Sequence, residues 1–131
     1  MNKTQYKELN REYLTLKSAE PGVENIGGVL VKRLADGSGD KTATLSSIVV
    51  CRYSGSLIDG TQFDSNENDT MPYPFRVREL IEGWQIALTH MKVGDKWELT
   101  IPAELGYGSA HIDGIPAHST LIFTLELLQI A

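Results

Sequence analysis

Cysteine is nearly absent: Cys51 stands alone in 131 residues, which excludes an intramolecular disulfide and any zinc site built from paired cysteines. Long apolar runs are missing too, since none approaches the ~18 residues a membrane-spanning helix needs. Positive charge is scarce, with 12 Lys and Arg against 17 Asp and Glu and a net charge of -5. That balance argues against a nucleic-acid partner, whose affinity rests on Lys and Arg meeting phosphates. There is no Gly-x-Ser-x-Gly elbow, no phosphate-binding Gly-rich loop and no dinucleotide fingerprint. The three histidines, His90, His111 and His118, are too few and too scattered to imply a metal, even with Asp113 between the last two. The opening Met-Asn-Lys-Thr-Gln has no apolar core of a secretory signal, so none is expected. A mature exported form would read the same, and the location stays open between cytoplasm and cell envelope.

What remains is the composition of an ordinary soluble domain, 41% hydrophobic and 22% charged. Its length is enough to bury about two-thirds of the unfolded surface in one core. Residues 3 to 19 place Tyr6, Leu9, Tyr13 and Leu16 at steps of three and four, an apolar helical stripe stopped by Pro21-Gly22. It reads first as a cap on one edge of the domain, with an arm for a partner or a second copy as the alternative. From Gly28 the period becomes strand-like. Val29 to Leu34, a turn at 36–40 and Leu45 to Tyr53 suggest a hairpin with a loose loop. Cys51 falls in that alternation with no His or Lys beside it, and is expected to be a buried structural thiol. A broad stripe of Leu80, Ile81, Trp84, Ala87, Leu88 and Met91 predicts a helix over 78–91, ended at Gly94. Lys96 to Ile101 and Thr120 to Ile130 alternate cleanly as half-buried antiparallel strands. The expected fold is α+β, an antiparallel sheet packed on one short helix, with long irregular segments at 54–74 and 103–118 of the kind that carry function.

Four short segments recur along the second half: Tyr53-Ser-Gly with Phe63-Asp64-Ser65, Glu82-Gly-Trp84, Ile101-Pro leading to Gly106-Tyr107-Gly108, and Ile115-Pro before Phe123. They supply aromatic walls and almost no catalytic polar groups. A site built from Tyr53, Phe63, Phe75, Trp84, Tyr107 and Phe123 with the single carboxylate Asp64 is poorly equipped for hydrolysis or group transfer. It suits a compact apolar ring such as that of proline.

These segments, with Pro74-Phe75, Met91-x-Val-Gly94 and Ile115-Pro-x-His-Ser-Thr-Leu-x-Phe123, resemble the FKBP family of peptidyl-prolyl cis-trans isomerases from about Gly28 to the C-terminus. The resemblance implies a twisted antiparallel β-sheet wrapped around one short α-helix, with residues 23–131 as the isomerase domain and residues 1–22 as an added N-terminal helical extension. It implies Trp84 as the pocket floor, Tyr53, Phe63 and Phe123 as walls, and Phe75, Leu80 and Ile81 completing the enclosure. Tyr107 and Ile115 would come from the overhanging loop. Asp64, Tyr107, Phe75, Phe123 and Trp84 would be catalytic, and Tyr53, Phe63, Leu80, Ile81 and Ile115 would bind substrate. The Ile81 N–H and the Tyr107 hydroxyl would hold substrate carbonyls, while Asp64 would either orient Tyr53 or meet the rotating carbonyl. No metal and no cofactor is implied. Partners would be proline-containing polypeptides, with macrolide ligands competing, and the chain would be a monomer. A non-catalytic binding module or chaperone for proline segments is the alternative. The chain departs from the family pattern in a longer, more acidic 66–74 segment, in Gly106 where Ala is common, in one proline at 116 where two are frequent, and in Thr124 where Asp is common.

Overall fold

The first helix begins where its sequence can cap it. In the computed structural model, which describes residues 1–131, Asn2 Oδ1 accepts the Gln5 N–H at 2.8 Å and Gln5 Oε1 accepts the Asn2 N–H at 2.9 Å. This reciprocal capping box satisfies two of the donors that a helix start leaves open, and α1 runs Lys3–Ser18. The stripe expected to hold it packs only in part: Tyr6 and Tyr13 are half-buried. Leu9 is 40% and Leu16 74% exposed, whereas Asn10 is buried. Polar groups dock the helix instead, and Lys17 at its end reaches Glu98 at 2.7 Å and Glu20 at 2.8 Å. Burial alone would lower the Lys17 ammonium, but hydrogen bonds to Glu20 and Glu98 outweigh it and hold the group above its ordinary value.

Seven strands follow: β1 Val23–Ile26, β2 Val29–Ala35, β3 Ile48–Ser56, β4 Gln62–Ser65, β5 Pro74–Arg76, β6 Lys96–Ile101 and β7 Leu121–Ile130. All pairings are antiparallel, in the order β1-β2-β6-β7-β3-β4, with β5 on the same outer edge of β3 as β4. The expected β2–β3 hairpin does not form, because β6 and β7 lie between those strands. Period-two alternation fixes which face a strand buries and says nothing of its neighbour. The connection from β2 to β3 is pinned on its way across: Gly37 N–H donates to the buried Asp95 carboxylate at 2.7 Å, and Thr42 bridges Lys92. A Cβ at position 37 would collide with the Val93 carbonyl oxygen, so only glycine allows this crossing.

The 78–91 helix is shorter than its stripe. A 3₁₀ turn at Val77–Glu79 and an extended Leu80–Ile81 precede α2, Glu82–Leu88. Met91 is fully buried beyond its end. The 54–74 segment, expected to be irregular, contains β4 and the end of β3. The core lies between the sheet and α2. Val29, Val31, Val49, Cys51, Trp97, Leu99, Ile101, Leu121, Leu125 and Leu127 pack with Trp84, Ala87, Leu88 and Met91. On β7 burial alternates strictly from Leu121 to Leu127, as expected of a strand with one face on the core. Cys51 belongs to this core, and burial pushes its thiol up to about 12.

Candidate active site

One end of the sheet-helix interface is open. Tyr53 from β3, Phe63 and Asp64 from β4, Phe75 from β5, Glu79, Leu80 and Ile81 from the turn before α2, Trp84 from α2, Tyr107 from the loop and Phe123 from β7 line a cleft of about 310 Å³. That size falls at the small end of ligand sites. The floor and walls are an edge-to-face aromatic cluster. Trp84 stands 5.0 Å from Tyr53 and 5.2 Å from Phe123, centroid to centroid, and Phe63 stands 5.6 Å from Phe123, all with ring planes near perpendicular. Such packing is worth about 0.5 to 1.5 kcal/mol per pair beyond burial and fixes the rings. Gly55 makes it possible. A Cβ there would stand 2.6 Å from Phe123 Cε1 and 2.8 Å from Phe63 Cζ, so a side chain would push both walls.

Polar groups are few and specifically engaged. Tyr53 donates its hydroxyl to Asp64 Oδ2 at 2.9 Å, which ties the exposed carboxylate to the wall. Burial, and then this hydrogen bond, raise the Tyr53 hydroxyl above its ordinary range. Behind it the buried Asn66 braces the strand. Its Oδ1 accepts the Tyr53 N–H at 2.7 Å and its Nδ2 donates to the Cys51 carbonyl at 2.9 Å. Tyr107 is 38% exposed, and its hydroxyl has no partner in the chain. Burial and the charge of Asp64 raise it too. The Ile81 carbonyl begins α2 by accepting from Trp84 N and Gln85 N, while the Ile81 N–H donates to no group of the chain. The buried Trp84 Nε1–H is likewise unpartnered, so residues lining the cleft carry donors without internal acceptors.

Nine of the ten residues singled out from sequence, Asp64, Tyr107, Phe75, Phe123, Trp84, Tyr53, Phe63, Leu80 and Ile81, meet in this one cleft. Ile115 does not line it. It is 5% exposed, packed in the core, and holds the loop by paired hydrogen bonds with Ile112. Glu79 is the lining residue that sequence reasoning missed. It falls within the span predicted as one helix, outside its apolar stripe, and no Gly or Pro between Val77 and Glu82 marks the break that brings it to the rim. No group of three or more potential metal ligands is present.

An antiparallel sheet closed over a short helix carries an aromatic cleft suited to a compact apolar ring, with Asp64, Glu79 and the two tyrosine hydroxyls as its polar side chains. The comparisons place it. The profile of the family described as FKBP-type peptidyl-prolyl cis-trans isomerase matches residues 39–128, and the chain belongs to that family. It is 38% identical over 120 residues to the FKBP-type peptidyl-prolyl cis-trans isomerase FkpA of Escherichia coli (strain K12), covering 92% of this chain and 44% of that protein. It is 36% identical over 124 residues to the peptidyl-prolyl cis-trans isomerase Mip of Coxiella burnetii, covering 94% of this chain and 54% of that protein. The chain therefore spans about half the length of these curated relatives. A crystal structure of a peptidyl-prolyl cis-trans isomerase from Pseudomonas syringae pv. tomato superposes with a TM-score of 0.89 at 33% identity, covering 100% of this chain and 97% of that one.

Proposed function

We propose that this chain accelerates cis-trans rotation of X-Pro peptide bonds in client polypeptides, with the cleft as its active site. The observation that carries the reading is the pairing of a rigid aromatic cleft with unpartnered donors on its lining residues, the Ile81 N–H and the Tyr107 hydroxyl among them. An X-Pro bond favours trans by only about 0.5 to 1 kcal/mol, yet its rotation barrier is about 18 to 20 kcal/mol because C–N double-bond character must be lost. The planar amide is the more charge-separated form, so a desolvated apolar cleft stabilises it less than water does. The prolyl ring rests on Trp84 between Tyr53, Phe63 and Phe123, while Phe75, Leu80 and Ile81 exclude water. Ile81 N–H and Tyr107 hold the flanking carbonyls in a twisted geometry. A barrier lower by about 7 kcal/mol is a rate gain of roughly 10⁵. No bond is made or broken, so neither cofactor nor metal enters.

In this reading Asp64 acts through Tyr53, the first of the two roles open to it, a choice that the 2.9 Å hydrogen bond to Oδ2 supports. Ile115 supports the loop from the core rather than touching substrate. Residues 23–131 form the isomerase domain and 1–22 an extension on it, the chain acts as a monomer, and macrolide ligands compete for the cleft. Titration with such a ligand shifts Trp84 fluorescence at micromolar concentration; no shift up to high micromolar would remove Trp84 from the floor. Refolding of a test protein limited by one X-Pro bond is accelerated by catalytic amounts of the chain. A holder of proline segments without turnover would leave that rate unchanged or slow it.

A further inference from the structure

The N-terminal helix lies outside the matched family segment and lines no part of the cleft, yet its one buried residue, Asn10, and the half-buried Tyr6 bond neighbouring residues of the same loop end. Asn10 is 3% exposed, an unusual burial for an amide on a surface helix. Its Nδ2 donates to the Tyr6 carbonyl at 2.8 Å, and its Oδ1 accepts the N–H of Thr120 at 2.7 Å. One turn earlier the Tyr6 hydroxyl pairs with Ser119 Oγ at 2.7 Å, and Ser119 Oγ donates to the Pro116 carbonyl at 2.6 Å. Ser119 and Thr120 are both buried. The helix thus grips two consecutive residues, 110 to 113 positions away in sequence, at the end of the loop that carries Tyr107.

The residue just before the grip is His118, whose φ is 65°. It is the one non-glycine residue of the chain in the left-handed region, where a Cβ crowds the following carbonyl. In that conformation its N–H donates to the Gly108 carbonyl at 2.8 Å, and Gly108 N–H in turn donates to the Ala103 carbonyl at 2.8 Å. Gly108 follows Tyr107 directly. A strained backbone residue persists only where its surroundings over-determine it. The surroundings here are Ser119 and Thr120, held by Tyr6 and Asn10.

We propose that α1 is a positioning element for the cleft: through Tyr6–Ser119 and Asn10–Thr120 it holds His118 left-handed, and His118 fixes Gly108 and sets Tyr107 over the mouth. The helix then contributes to turnover without touching substrate, and Tyr6 and Asn10 are positioning residues. This rests on the isomerase reading of the cleft for its effect on rate, but the mechanical link stands apart from it.

The test compares the full chain with Asn10→Ala, Tyr6→Phe and Asn10→Asp, the last keeping an oxygen for the Thr120 N–H. Amide hydrogen exchange at His118 accelerates about tenfold or more in Asn10→Ala, with β3 and β7 amides unchanged, because only a local opening has become easier. On an X-Pro peptide, kcat/KM falls about three- to tenfold in the same variant, recovers in Asn10→Asp, and shows no such fall when the change is made in a Tyr107→Phe background. A merely stabilising helix would lower activity equally in both backgrounds. Unchanged His118 exchange, or equal losses with and without Tyr107, would overturn the proposal. If Asn10→Ala does not fold, Tyr6→Phe carries the same comparisons with one oxygen removed. A wild type without turnover would sink the isomerase reading, and the exchange experiment would still decide the link.

Discussion

The two tyrosines of the cleft differ in one respect that decides their use. Tyr53 donates to Asp64 and is held in the wall, whereas Tyr107 keeps its hydroxyl free. Tyr107→Phe therefore lowers kcat/KM about three- to tenfold, the size of one lost hydrogen bond, and leaves Tm unmoved because the hydroxyl bonds nothing in the chain. Gly55→Ala, by contrast, does move stability: it pushes on Phe123 and Phe63 and costs about 1 to 3 kcal/mol, read by urea unfolding. Cys51 offers a control on the core. Its thiol is buried and pushed up to about 12, so a thiol reagent at about pH 8 reacts only when the protein unfolds. At this scale the sequence was highly legible. The aromatic residues announced the cleft because each sits in a short motif whose spacing is tied to a strand end or to α2. Glu79 was not legible, because its place depends on a 3₁₀ turn that no local residue marks.

Elements were legible as types and less so in their partners. The strands β6 and β7 follow from alternation that matches a half-buried face, and α1 from its helical spacing and the Pro21-Gly22 stop. The β2–β3 hairpin failed because strand order is a tertiary choice, fixed here by Asp95 and Gly37 pinning the crossing chain. For α1 the apolar stripe was half right, with Tyr6 and Tyr13 half-buried and Leu9 and Leu16 exposed. Long-range bonds from Tyr6 and Asn10, with Lys17 reaching Glu98, outweighed the burial that Leu9 and Leu16 offered. Replacing Leu16 by Glu accordingly changes Tm little, within about 0.5 kcal/mol of stability, as thermal unfolding will read. A large loss would mean that Leu16 packs against the body after all.

Across the whole molecule, one sheet and one short helix enclose a core that stops at an open aromatic cleft, with Asp64 and Glu79 as its charged lining residues. The two cleft tyrosines both have their hydroxyls raised above the ordinary range, so both stay protonated through neutral and mildly alkaline pH. The Tyr53–Asp64 hydrogen bond and the donor proton of Tyr107 are retained there and lost only at higher pH, after the hydroxyls ionise. A reaction without proton transfer then gives kcat/KM that is flat between about pH 6 and about pH 9, whereas a bell would point to an acid-base pair. The most direct measurement is the refolding rate of a protein limited by one X-Pro bond, with catalytic amounts of the chain and of its Tyr107→Phe and Phe75→Ala variants. Acceleration by the wild type that falls in both variants is the result predicted. A rate unchanged by well-folded wild type would contradict isomerase function and leave the cleft as a site that binds proline segments without turning them over.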